Sequence, residues 1–120
     1  MGRQLLNYLD TLGIILKMNR VKFARDDIYS FLLSFDDETV AKILGDLEFL
    51  DELGNLLRPP KSKKIAKDLY ELRVLGNLSI RILYTFYKGQ IIVLHAFVKK
   101  SQKIPKRELD KVINILKYWR

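Results

Sequence analysis

Between Asp68 and Val98 the chain reads DLYELRVL, then GN, then LSIRILYTFY, then KG, then QIIVLHAFV. Three runs of alternating apolar and polar residues are thus separated by two short breaks, each containing glycine. Period-two alternation is the pattern of a strand with one buried face, and two-residue turns of this kind join antiparallel neighbours. This stretch commits the second half of the chain to an antiparallel sheet, and the remaining segments must cover it.

Successive side chains of a strand point to opposite faces. Tyr70, Leu72 and Val74 therefore share one face, and Glu71 and Arg73 the other. In the next run Leu78, Ile80, Ile82, Tyr84 and Phe86 fall together, opposite Ser79, Arg81, Leu83, Thr85 and Tyr87, which puts Arg81 on the side of Arg73. In the third run strict alternation groups Ile92, Leu94, Ala96 and Val98 as the apolar set. It sends Ile91, Val93, His95, Phe97 and Lys99 to the side of the arginines. The expectation is a sheet with one dry and one cationic face.

The flanking segments supply the cover. RVKFA, Arg20 to Ala24, is strand-like and precedes two helical segments. In the second of these, Ser34 or Asp36 can act as N-cap, and Asp36, Asp37 and Glu38 suit the positive end of the helix dipole. Val40, Ile43, Leu44, Leu47, Leu50 and Leu53 then recur at helical spacing until Gly54 stops the helix. LLRPPKSKKIAK follows, with two prolines and Lys61, Lys63, Lys64 and Lys67, and reads as a basic loop. Pro105 opens a last helix whose stripe of Leu109, Val112, Ile113, Leu116 and Trp119 is expected on the dry face of the sheet.

A length of 120 residues with 48% hydrophobic content supports a single domain spanning 1–120. Residues 1–18 read either as an N-terminal extension, with Met18 as an alternative start, or as an amphipathic first helix. Asn7 and Asp10 interrupt the early apolar run, so neither a signal peptide nor a membrane span is expected. The chain has no cysteine, which removes disulfides and thiolate metal sites and makes the cytoplasm the default compartment. Charge is unevenly distributed. Residues 1–57 hold 6 Lys and Arg against 10 Asp and Glu, whereas residues 58–120 hold 16 against 4, so the net +8 arises from −4 and +12. An excess that large repels itself unless a polyanion or acidic partner relieves it, which points first to nucleic acid.

The segment Asp68 to Leu109, with LYELR, SIRILYTFYKG and HAFVKKSQKIPKRE after LLRPP, resembles the RelE/HigB toxin superfamily, and within it the phage-related HigB-like branch of type II toxin–antitoxin systems. The resemblance implies an α+β, RelE-like domain: N-terminal helices and one C-terminal helix packed on a small, mainly antiparallel sheet. It implies a cytoplasmic, ribosome-dependent mRNA endoribonuclease that inhibits translation without metal or cofactor. Its partners would be mRNA, the ribosome and a cognate antitoxin, a HigA-like helix-turn-helix protein. Arg81 matches the arginine of the superfamily's central strand, Arg73 a basic position on the preceding strand, and Lys99 and Lys100 a basic pair after the last one, with Lys103 close by. Glu71 stands where a lysine is expected, and no tyrosine lies between Lys99 and Leu109, so the acid and base do not carry over.

Cutting RNA through its own 2′-hydroxyl requires removal of that proton, stabilisation of charge on the phosphorane and protonation of the leaving 5′-oxygen. Arg73 and Arg81 answer the second need, because a guanidinium offers paired donors matched to phosphate oxygens. For the proton transfers His95, Glu71 and a lysine all qualify, and Glu71 is equally suited to orient Arg73 as an ion pair. Arg73, Arg81, His95 and Lys100 form the expected catalytic set, with Lys61, Lys63, Lys64, Lys99, Lys103 and Tyr87 as RNA-binding residues. Tyr84, Phe86 and Trp119 lie in apolar stripes and read as core. Two other classes fit the charge pattern: a non-catalytic module binding nucleic acid or gyrase, and a phage interaction protein docking an acidic partner.

Overall fold

A computed structural model describes residues 13, 15 and 17–119. The element order is β1 (Val21–Phe23), α1 (Asp26–Leu32), α2 (Asp37–Leu53), β2 (Ser62–Ala66), β3 (Leu69–Val74), β4 (Ile80–Tyr87), β5 (Gln90–Val98) and α3 (Lys106–Leu116). The fold is α+β, with one five-stranded sheet in the order β1-β5-β4-β3-β2. β1 runs parallel to β5, and every other neighbouring pair is antiparallel. No described helix is long and apolar enough to cross a membrane. The expected extension or first helix at 1–18 falls almost wholly outside the described residues; Gly13, Ile15 and Lys17 are helical, and Met18 is buried in the core.

The caps of α2 explain its bounds. Asp36 accepts from the Thr39 amide at 3.3 Å and from its hydroxyl at 2.6 Å, and these bonds hold the Asp36 carboxyl below its ordinary pKa. Gly54 ends the helix at φ 54°, where a Cβ would stand 2.4 Å from the Arg20 guanidinium. Ile43, Leu47 and Leu50 are each 0% exposed, and burying each such side chain contributes about 1.5–3 kcal/mol. From the same helix Asp51 accepts three consecutive backbone amides, those of Asn19, Arg20 and Val21, at 3.2, 2.6 and 2.8 Å. This carboxylate fixes where the chain enters β1.

Three expectations are corrected. Residues 62–66 form an edge strand and not a loop: Ser62, Lys63 and Lys64 pair with Leu72, Glu71 and Tyr70, and Lys67 and Asp68 make the turn into β3. Lysines on an edge strand discourage pairing with other chains, and their density hides the alternation. The strand is also tied inward, since the Ser62 hydroxyl hydrogen-bonds the Tyr84 hydroxyl.

Second, alternation fails inside β5. Leu83 pairs with His95 and Tyr84 with Val93, so Leu94 is an extra residue, a β-bulge. Ile91 and Val93 consequently join Ala96 in the core beneath α1 and α2, while Ile92 and Leu94 join Phe97 on the other side.

Third, α3 covers that other side. Val112 and Leu116 pack with Leu69, Leu83, Ile92, Leu94 and Phe97, whereas α1 and α2 bury Leu72, Val74, Ile80, Ile82 and Tyr84. Both faces of the sheet are dry over most of their area. The cationic surface is confined to the end of the α3 face that the helix leaves uncovered.

Candidate functional site

Register builds this site. Arg73 on β3 and Arg81 on β4 are direct Cα partners, and Phe97 on β5 continues the row. One step along the strands, Lys63, Glu71, Leu83 and His95 form the adjacent row. Opposed like charges on paired strands repel, so two facing arginines need a counter-charge. Glu71 supplies it: its Oε1 accepts from Arg73 Nε at 3.0 Å and lies 3.5 Å from Arg81 Nε.

The three side chains differ in access. Arg73 is 28% exposed, Arg81 9% and Glu71 3%. β4 is the middle strand, and a side chain there is shielded on both flanks. Burial pulls the Arg81 guanidinium below its ordinary pKa; Glu71 opposes that shift and Arg73 adds to it. One Arg81 terminal nitrogen donates to the Ile80 carbonyl at 3.3 Å, while its buried Nε has only the loose contact with Glu71.

Beside this network lies a depression of about 260 Å³ walled by Lys63, Glu71, Arg73, Lys99 and Lys103. A second depression adjoins it and holds Ser79, Arg81 and Lys100, with Lys99 and Gln102 belonging to both. The structure therefore brings together Arg73, Arg81, Glu71, Lys63, Lys99 and Lys103, with Lys100 on the far rim. Glu71 meets both guanidinium groups through Oε1, which suits it to orient them.

The other expected site residues lie elsewhere. Lys61 is spent on Asp46 of α2, 3.1 Å away, and on the Arg73 carbonyl at 3.3 Å. Lys64 sits across from Tyr70, so alternation turns it to the α2 side. Tyr87 is at the far end of β4, edge-on to Trp119 at 5.4 Å with the Lys88 ammonium over its ring. His95 is hydrogen-bonded through Nε2 to Glu108 of α3, stacks on Phe97 at 5.8 Å, and opens onto a separate cavity. That bond is the main reason the Glu108 carboxyl lies below its ordinary range. Sequence reasoning missed Glu108 because an acid in a first helical turn is already accounted for by the dipole. Gln102, an uncharged side chain between lysines, gave no signal at all.

Arranged this way, the residues can bind an anion with several single-bonded oxygens, using one accessible guanidinium, one buried guanidinium and three ammonium groups. Residues 30–117, which contain this whole site, match the family model described as Phage derived protein Gp49-like (DUF891). The chain belongs to that phage-derived family, a RelE/HigB-like toxin family. No curated protein matches the chain.

Proposed function

Taking membership of a RelE/HigB-like toxin family as premise, we propose that this chain is the toxin of a type II pair and cleaves messenger RNA on the ribosome. The observation that supports this reading is the Arg73–Arg81 pair, side by side on one sheet face and clamped by buried Glu71. In the proposed reaction the 2′-hydroxyl attacks the adjacent phosphorus and the 5′-oxygen leaves. Arg73 meets the non-bridging oxygens, and Arg81 adds positive charge from beneath without having to move as charge develops. Lys63 and Lys103 hold flanking phosphates. Lys99, shared by both depressions, gives a proton to the leaving 5′-oxygen and regains one that water carries from the attacking 2′-hydroxyl. Glu71 and His95 serve as positioning groups, the first for the guanidiniums and the second for the α3 junction. An antitoxin, proposed to be a helix-turn-helix protein, restrains the activity.

Mapping transcript 5′ ends after brief induction tests the reading. New ends within coding regions are expected with the natural chain and are expected to vanish with Arg73→Ala, whose circular dichroism stays native. Growth arrest without new ends would replace cleavage by a non-catalytic binding mode; intact growth would remove the toxin reading.

A further inference from the structure

Across Phe97 and His95 from the arginines, the sheet has an unfinished edge. β1 accompanies β5 only as far as Val93, where the Ala24 amide donates to the Val93 carbonyl at 2.9 Å before the chain turns into α1. Further along, the Lys99 amide donates to the Ser79 carbonyl at 2.7 Å. Alternation then gives the amide and carbonyl of Phe97 to β4 and turns those of Ala96 and Val98 outward. No described strand pairs with them.

This edge opens into a cavity of about 560 Å³ between α1 and the start of α3. Ile28, Phe31 and Val98 give it an apolar floor, and Lys100, Arg107 and Lys111 stand around it. Its two acids are engaged, Asp27 by Arg25 at 3.0 Å and Glu108 by His95. Among the described residues no carboxylate lies within 4.0 Å of the Lys100, Arg107 or Lys111 ammonium and guanidinium groups.

These three features select different parts of one ligand. Outward amides and carbonyls pair with an extended backbone, an apolar floor accepts aliphatic side chains, and cations in no direct ion pair accept further carboxylates, although Arg107 and Lys111 also feel the charge of Glu108. A phosphodiester would satisfy only the last. We propose that the cavity is a strand-addition site for an extended segment of a partner protein that alternates apolar and acidic side chains. That the partner is the antitoxin rests on the toxin reading; the docking site does not. An occupant here leaves the Arg73 depression open and covers Lys100 and Arg107, so it restrains the protein by masking its approach surface.

The test titrates the ¹⁵N-labelled full chain with a blocked octapeptide of alternating valine and glutamate and, separately, with an oligoadenylate octamer. The peptide is expected to slow hydrogen exchange at the Ala96 and Val98 amides without moving the Arg73 Nε resonance, and the RNA to do the reverse. Arg107→Glu with Lys111→Glu, both exposed positions, should weaken the peptide about tenfold. Val98→Pro, which removes an amide that β4 does not use, should do the same and leave transcript cleavage unchanged. RNA protection of Ala96 and Val98, or peptide binding that leaves both amides unprotected, overturns the proposal. Failure here with transcripts still cut removes only the docking site; protected amides with intact transcripts remove only the nuclease reading.

Discussion

The two faces of the sheet are covered to different extents, and that difference places the chemistry. Beneath α1 and α2 the sheet presents a largely apolar surface, with Leu72, Ile80, Ile82 and Val93 all fully buried and the Ser62 and Tyr84 hydroxyls bonded to each other. On the α3 face the helix seals Leu83, Ile92 and Leu94 and stops short of the row that holds Arg73 and Arg81. The first face is built for stability. The second gives up part of its hydrophobic cover and keeps in its place a buried carboxylate shared by two guanidiniums.

Glu71→Ala is the harshest way to break the contrast, because it leaves the buried Arg81 without a counter-charge. A loss of about 3–5 kcal/mol is expected in urea denaturation, and Glu71→Gln should recover part of it. Leu47→Ala on the dry face should cost about 2–5 kcal/mol by the same measurement, whereas Leu109→Ala, only partly buried on the other face, should cost roughly 1 kcal/mol. Arg73→Ala should change stability by less than about 1 kcal/mol yet lower transcript cleavage by about a hundredfold or more, which separates support from chemistry on one strand.

The α3 junction adds a pH test. Because its hydrogen bond to His95 holds the folded Glu108 carboxyl below the ordinary value, the pair stabilises the fold above the usual carboxylate range and loses that contribution as pH falls through the depressed value. The natural chain should therefore exceed Glu108→Ala in stability near about pH 6, with the gap narrowing below about pH 4. The smallest effect concerns neighbours on β2. Lys63→Ala should lower the salt slope of RNA binding by about 1, while Lys64→Ala, directed to the opposite face, should leave it unchanged.

Much of the architecture was legible because it follows from local pattern. Alternation through Ile80–Phe86 assigned β4 correctly, Asp36 and Gly54 bounded α2, and the breaks at Gly76-Asn77 and Lys88-Gly89 made three strands antiparallel. From those strands alone Arg73 and Arg81 were expected on one face. What remained hidden depends on tertiary context. The bulge at Leu94 leaves no trace in an all-apolar run, and β2 is masked by its lysines and by a Lys67-Asp68 turn that lacks glycine. The place of α3 is not legible in sequence because Leu83, Ile92 and Leu94 look like ordinary strand residues, and nothing in their spacing shows that a helix packs on them. The near-complete burial of Arg81 follows from β4 lying in the middle of the sheet, a matter of strand order and not of any residue nearby in sequence.

The extra residue at Leu94 also sets which side chains β5 can send to each layer. Forcing strict alternation through Leu94 would invert half of the strand: either Ile91 and Val93 would leave the α1–α2 layer, or the His95 imidazole would enter it while Ala96 and Val98 swung outward. A lineage carrying this strand is free to exchange one aliphatic side chain for another and even to lose the bulge with its extra residue, but the residue and the bulge must come and go together, because only then does a single ribbon feed two helical layers.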